Sequence, residues 1–159
     1  MKKYLELLRH PYSLDANLII SDAMINEALK LYVKAPALKA ISCQIHEGFF
    51  EINIEIKLLM LSKIYALEVE IEDFVFEPSR HQIVLLVRQK SVAIIGTVLN
   101  AFGINRLKSV EFRNNRFYIN LALYCEKVEA PILRKELEKL KISKPLLTPH
   151  NVHLKLFKI

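Results

Sequence analysis

The sequence predicts an α+β fold, in which a mainly antiparallel sheet of about seven strands carries two to three helices packed on one face. Two observations lead to this prediction. Several segments alternate apolar and polar residues with a period of two and are joined by hairpin-length turns. Three other segments place apolar residues at helical spacing. No linker, repeat or low-complexity tract divides the chain, so we expect a single domain over residues 1–159.

The sequence predicts one helix near the start of the chain and seven strands in all. The helix is predicted from Ala23 to about Val33, because Ser21 and Asp22 suit a helix start and Pro36 suits its end. Alternation predicts seven strands in the whole chain, over residues 41–45, 50–58, 67–76, 83–87, 110–112, 117–123 and 152–157. In the third of these strands the alternation slips near Glu72-Asp73, which predicts a β-bulge.

The second predicted helix, Lys90 to Phe102, is apolar over most of its circumference, and Gly103 suits its C-terminal cap. It lies inside a stretch, residues 78–110, that holds five cations and no Asp or Glu. Such a helix must be covered on several sides. Two explanations remain open: a core helix wedged between the sheet and another element, or a helix with one side on the sheet and another lining a lipid slot. A third helix is predicted from Pro131.

Composition limits the classes of function. Apolar residues make up 52% of the chain, and a net charge of +6 attracts anionic surfaces. The N-terminal segment is broken by Glu6 and Arg9, unlike a secretory signal, and no apolar run is long enough to span a membrane. We therefore expect a cytoplasmic or peripheral membrane location, unless an export signal lies upstream of this sequence.

Four segments carry a family resemblance: ISDAMINEALKLYV, AISCQIHEGFFEINIEI, VAIIGTVLNAFGI and VEFRNNRFYINL. Their order resembles that of the small bacterial lipid-binding proteins of the LmeA type, relatives of the tubular lipid-binding (TULIP, or SMP/BPI-like) superfamily. The similarity covers roughly Ile20 to Leu123. The resemblance implies that helices pack on a curved antiparallel sheet and that an apolar groove between them holds lipid. It supplies no site residues, and this sequence lacks the export signal of that family.

The leading functional prediction is a non-enzymatic protein that binds a lipid, a fatty-acid-like molecule or another amphiphile in a groove between the sheet and the apolar helix. Arg88 and Lys90 precede this helix, where its dipole favours anions, so we expect a head group at that end. The groove wall is predicted to consist of nine apolar residues: Phe50, Ile52, Ile54, Leu67, Val69, Ile94, Val98, Leu99 and Phe102.

The alternative prediction is a protein-interaction or assembly module that uses surplus apolar surface as a subunit interface, as in a homodimer. An anionic membrane surface is a further partner that the basic charge favours. Nucleic-acid binding is disfavoured, because basic residues and aromatic residues that could stack on bases occur together in only one short segment, at Arg113, Arg116, Tyr118 and Tyr124.

No catalytic, metal-binding or phosphate-binding motif occurs in the sequence, so we expect no catalytic residue, no metal and no cofactor. Glu68, Glu70 and Glu72 alternate with core positions and are interpreted as a solvated outer face. Cys43 is expected to be a buried reduced thiol, and a disulfide with Cys125 is the alternative.

Overall fold

The computed structural model describes residues 16–104, 107–123 and 131–159 and, within them, places ten strands in one sheet. The strands are β1 (Ala16–Ser21), β2 (Leu38–His46), β3 (Phe49–Leu58), β4 (Leu61–Glu77), β5 (Arg80–Val87), β6 (Val110–Arg113), β7 (Arg116–Asn120), β8 (Leu140–Ile142), β9 (Leu146–Thr148) and β10 (Asn151–Lys158). The helices with both ends in the described residues are α1 (Asp22–Tyr32), α2 (Ile95–Phe102) and α3 (Pro131–Leu137), and a 3-10 helix (Gln89–Ile94) leads into α2. The strand pairs are antiparallel, which confirms the predicted fold class.

Strand β4 is the longest, with 17 residues, and organises the sheet. Its first half pairs with β3 and its second half with β5. The main strand order is β1-β10-β8-β4-β5-β7-β6, while β2 and β3 extend from the first half of β4 and β9 pairs with β10. The register between β4 and β5 shifts between Ile71 and Asp73, which confirms the predicted bulge.

The helix ends follow local chemistry. The Ser21 hydroxyl accepts a hydrogen bond from the backbone N–H of Met24 at 3.2 Å and so caps the start of α1. The predicted second helix is formed in two parts, the 3-10 helix and α2. Gly103 ends α2 with a φ of 63°, a left-handed conformation that residues with a Cβ rarely adopt.

Helices α1 and α2 cover the same face of the sheet. Val98 of α2 packs in a cluster with Ile54, whereas Ile25 of α1 packs against a cluster that contains Ile45. Ile45 and Ile54 point to one face, because Ile54 pairs with Ile41 and positions of equal parity in a strand share a face. The two helices therefore bury one apolar side of the β2–β3 hairpin.

The sheet has ten strands where about seven were predicted, and β1, β8 and β9 account for the difference. In β1 the burial alternates, but its six residues run directly into α1, so the pattern changes before it is established. Strands β8 and β9 have three residues each, which is too short for alternation to identify them. The strand predicted over residues 117–123 ends at Asn120.

Cys43 is buried with a free thiol, and Cys125 lies outside the described residues. Burial, with a smaller effect of the Asp22 charge, raises the pKa of the Cys43 thiol to about 11. The Asn26 side chain accepts a hydrogen bond from the Cys43 backbone N–H at 2.6 Å and donates to its carbonyl oxygen at 2.9 Å. This amide covers the outer edge of β2 and fixes α1 beside that strand.

Candidate functional site

The cations predicted to meet a head group, Arg88 and Lys90, lie against two carboxylates of β4. The Nε of Arg88 donates to Oε1 of Glu70 at 2.6 Å, and its Nη1 lies 3.5 Å from Oε2 of Glu68. The Lys90 ammonium forms an ion pair with Glu68. The charges of Arg88 and Lys90 are therefore compensated within the chain.

Glu68 was predicted to lie on a solvated outer face. That prediction is wrong, because only 8% of this residue is exposed. A hydrogen bond from Lys90 lowers the pKa of the Glu68 carboxyl, against desolvation, and the charge of Arg88 adds to the effect. Its backbone N–H donates to the Ser91 hydroxyl at 3.0 Å. The side chain thus joins β4 to the start of the 3-10 helix.

Glu72 is more exposed and makes a two-pronged ion pair with Arg116 of β7. The Nε and Nη2 of Arg116 donate to the two carboxylate oxygens at 2.5 and 2.6 Å. This hydrogen bonding lowers the pKa of the Glu72 carboxyl. Arg88 also stacks on Phe49, with 3.7 Å between Cζ and the ring centroid. These contacts connect β4 to its neighbours, and they give the glutamate row a structural role.

The nine predicted wall residues lie in three packed clusters of the core. Ile52, Leu67, Val69, Ile94 and Leu99 belong to or pack on the first cluster, Ile54, Val98 and Phe102 on the second, and Phe50 on the third. Val98 is only 3% exposed. Helix α2 thus packs directly on the sheet, in agreement with the core explanation of its apolar character.

An open cleft lies where α1 leads into β2. Its volume is about 670 Å³, within the roughly 300–1,000 Å³ typical of ligand pockets. Seven of its lining residues are apolar or small, and three are lysines: Leu29, Val33, Ala35, Pro36, Leu38, Ala40 and Ile41 with Lys30, Lys34 and Lys39. Because no carboxylate is among these residues, the local field favours an anion.

A second cleft, of about 450 Å³, lies on the other side of the same connection. The two clefts share residues 34–36 as a wall. The C-terminal end of α2 forms the opposite side of the second cleft, and two predicted wall residues, Leu99 and Phe102, contribute to it. The C-terminal end of the apolar helix therefore borders an open space.

The lysines of the first cleft differ in their partners. Lys39 forms an ion pair with Glu55 at 2.8 Å. The Nζ of Lys34 donates to the carbonyl oxygen of Lys30 at 2.6 Å, at the end of α1 where carbonyl groups lack helical partners. Across residues 16–104, 107–123 and 131–159, neither Lys30 nor Lys34 forms an ion pair with a carboxylate. Both ammonium groups can therefore receive an external anion.

No protein-family model, curated protein or solved structure matches this chain. The choice between the two candidate sites therefore rests on geometry, and the resemblance to lipid-binding proteins stays a prediction.

Two further findings concern the described part of the chain. None of its helices is long and apolar enough to cross a bilayer. Nor does it contain a group of three His, Cys, Asp or Glu side chains that could hold a metal ion.

The sequence contains a signal for the cleft. Residues 28–46 include three lysines and no Asp or Glu. This stretch resembles the acid-free segment at residues 78–110, but the two differ in the fold. Arg88 and Lys90 form ion pairs with carboxylates of β4, whereas Lys30 and Lys34 form none with the described residues.

Proposed function

We propose that this chain is a non-enzymatic binding protein for an anionic amphiphile, such as a single-chain lipid, and that the cleft between α1 and β2 holds it. The observation that carries the proposal is the composition of the lining: apolar side chains together with three lysines and no carboxylate.

The two halves of an amphiphile match this lining for separate reasons. Each methylene removed from water contributes about 0.8 kcal/mol, so a short acyl chain against Val33, Leu38 and Ile41 supplies useful affinity. Lys30 and Lys34 supply charge-assisted hydrogen bonds to a carboxylate or phosphate. The second cleft, across residues 34–36, gives room for a longer chain.

Titration with a fluorescent fatty acid, with native mass spectrometry of the bound species, tests the proposal. Ala35, in the connection between α1 and β2, lines both clefts, whereas Ala66 is an exposed residue of β4 and lines neither. We expect Ala35→Trp, which narrows both clefts, to weaken binding by at least about tenfold, equivalent to about 1.4 kcal/mol. Ala66→Trp is the matched control and should bind as the wild type does.

A charge reversal separates the head group from the chain. Lys34→Glu should weaken binding of the fatty acid and leave binding of the uncharged fatty alcohol of equal length unchanged. Lys155→Glu, at an exposed position of β10 far from the cleft in sequence, controls for net charge. Wild-type protein that retains no fatty acid, or an Ala35→Trp variant with unchanged affinity, would contradict the proposal.

A further inference from the structure

The β3–β4 hairpin ends in an exposed apolar tip. Leu58 pairs with Leu61, so Leu59 and Met60 form a two-residue loop. Leu59 is 95% exposed and Met60 98%, and the neighbouring Leu61 and Ile64 are also exposed. Four large apolar side chains in one hairpin are thus left in water.

The backbone of this turn makes the choice of residues unusual. Leu59 has a φ of 55°, in the left-handed region that favours Gly or Asn. The chain follows this preference in other hairpins, since Asn114 and Asn115 occupy the left-handed positions of the β6–β7 turn and Gly48 that of the β2–β3 turn. Leucine at position 59 is therefore unfavourable for the turn and gains no burial from the residues that the structure describes, which points to a role in binding a partner.

Further apolar and basic residues lie at the same end of the sheet. The backbone N–H of Lys57 donates to the carbonyl oxygen of Ala37 at 2.8 Å, which places the α1–β2 connection beside the hairpin. Leu31 and Tyr32, at the end of α1, are 68% and 74% exposed. We call one set of six exposed residues the apolar end: Leu31, Tyr32, Leu59, Met60, Leu61 and Ile64.

The charge around the apolar end is mainly positive. Lys57 and Lys63 flank the hairpin tip, and Lys30 and Lys34 flank Leu31 and Tyr32. Glu55, the acid nearest the tip in the hairpin, is ion-paired with Lys39, and Glu27 lies one turn before Leu31 on α1. A partner that covers this end must accept apolar side chains and supply negative charge.

We propose that the apolar end docks onto an anionic lipid bilayer, with Leu59 and Met60 in the boundary between head groups and acyl chains. A bilayer accepts a narrow protruding tip without a preformed pocket, and each lysine near an anionic surface strengthens binding by about fivefold. A second copy of this chain suits the tip less well. Its cleft is lined by lysines, and a symmetric pairing of two apolar ends brings lysines against lysines.

The docking surface does not rest on the proposed function, because none of the six residues of the apolar end lines the cleft, and the two sites share only the charges of Lys30 and Lys34. Only one consequence rests on the proposed function: a docked molecule holds the cleft next to the bilayer, where a single-chain lipid can enter.

Vesicle binding by the full chain tests the proposal. The chain contains no Trp, so Met60→Trp places one fluorophore at the tip. With vesicles of phosphatidylcholine and phosphatidylglycerol we expect co-sedimentation, a blue shift of the tryptophan emission, and quenching by lipids brominated on the acyl chain. Vesicles of phosphatidylcholine alone should bind at least tenfold more weakly, and added salt should release the protein from the anionic vesicles.

The double variant Leu59→Asn, Met60→Ser places a residue that tolerates a positive φ at position 59 and a common turn residue at position 60, so it should fold and yet lose at least tenfold in vesicle affinity. Leu146→Asn is the matched control, since this exposed leucine lies in β9, beside the opposite end of the β2–β3 hairpin. It should bind vesicles as the wild type does. The double variant should also keep its affinity for the fluorescent fatty acid, whereas Ala35→Trp should keep its affinity for vesicles.

Three results would overturn the docking proposal: wild-type protein that ignores anionic vesicles, a Met60→Trp emission that does not shift on binding, or unchanged vesicle affinity of the double variant. A fourth is a dimer, seen by sedimentation, that the double variant dissociates, because the apolar end would then be an interface between copies. Absence of fatty-acid binding in the wild type and in every variant would contradict the cleft proposal and would leave the docking result intact.

Discussion

The side chain of Arg88 is held by Glu70, with its Nε 2.6 Å from the carboxylate oxygen Oε1. The two residues are 18 positions apart and come from opposite sides of the β4–β5 hairpin. Arg88 lies in the acid-free stretch of the sequence, but in the fold the acids of β4 lie beside it. The cations that remain without a carboxylate in the described residues include Lys30 and Lys34, and the proposed anion site is built on these two.

The ion pairs of β4 predict a dependence of stability on pH. The pKa of Glu68 is lowered in the folded state by Lys90, so its stabilising contribution is present above the ordinary value of 4.5 and is lost as the pH falls below it. We expect Glu68→Gln to lower the free energy of unfolding at pH 7, and the difference from the wild type to shrink below pH 4.5. Urea unfolding at several pH values measures this.

The control for this experiment is Glu47→Gln, since Glu47 is exposed in the β2–β3 turn. It should leave the free energy of unfolding nearly unchanged at every pH. A Glu68→Gln variant as stable as the wild type at pH 7 would show that the pair with Lys90 contributes little.

The core position of α2 predicts a large effect of truncation on stability. Ile95 is 3% exposed, so Ile95→Ala should lower the free energy of unfolding by about 2–5 kcal/mol. Ile132→Ala, at a 70% exposed position of α3, should have little effect. Chemical denaturation measures both. If α2 instead formed the wall of a lipid groove, Val98→Ala, at a predicted wall position, would weaken fatty-acid binding while changing stability little.

The left-handed turn residues predict opposite effects of two reciprocal substitutions. Leu59→Asn should raise the free energy of unfolding by about 1 kcal/mol, because Asn tolerates a positive φ better than Leu does. Asn115→Leu, at a φ of 60° in the β6–β7 turn, should lower it by about the same amount. Thermal unfolding compares the two. Equal and small effects would remove the backbone argument for a role of Leu59 outside the fold.

Much of the fold could be predicted because local signals were strong. The phase slip near Glu72-Asp73 marks a real bulge, and Gly103 ends the apolar helix. Strands β8 and β9 were missed because three residues give no period, and they form strands through pairing with β10. Their existence depends on contacts that are distant in sequence.

The candidate site was harder to predict than the fold. Whether a lysine or arginine is free depends on the strand beside it, and strand register is not visible in composition. Arg88 illustrates this, because Glu68 and Glu70 approach it only once β4 and β5 are paired. Lys34 illustrates the opposite case, since the α1–β2 connection brings no acid to it in the described residues.

The most direct test of the amphiphile cleft is to map backbone amide shifts during titration of isotopically labelled protein with decanoate, below its micelle concentration. We expect saturable shifts in residues 29–41 and, through the second cleft, in residues 99–103, with Arg88 and Lys90 unaffected. Shifts centred on Arg88, Lys90 and Ser91, or no saturable shift at all, would contradict the assignment of the cleft.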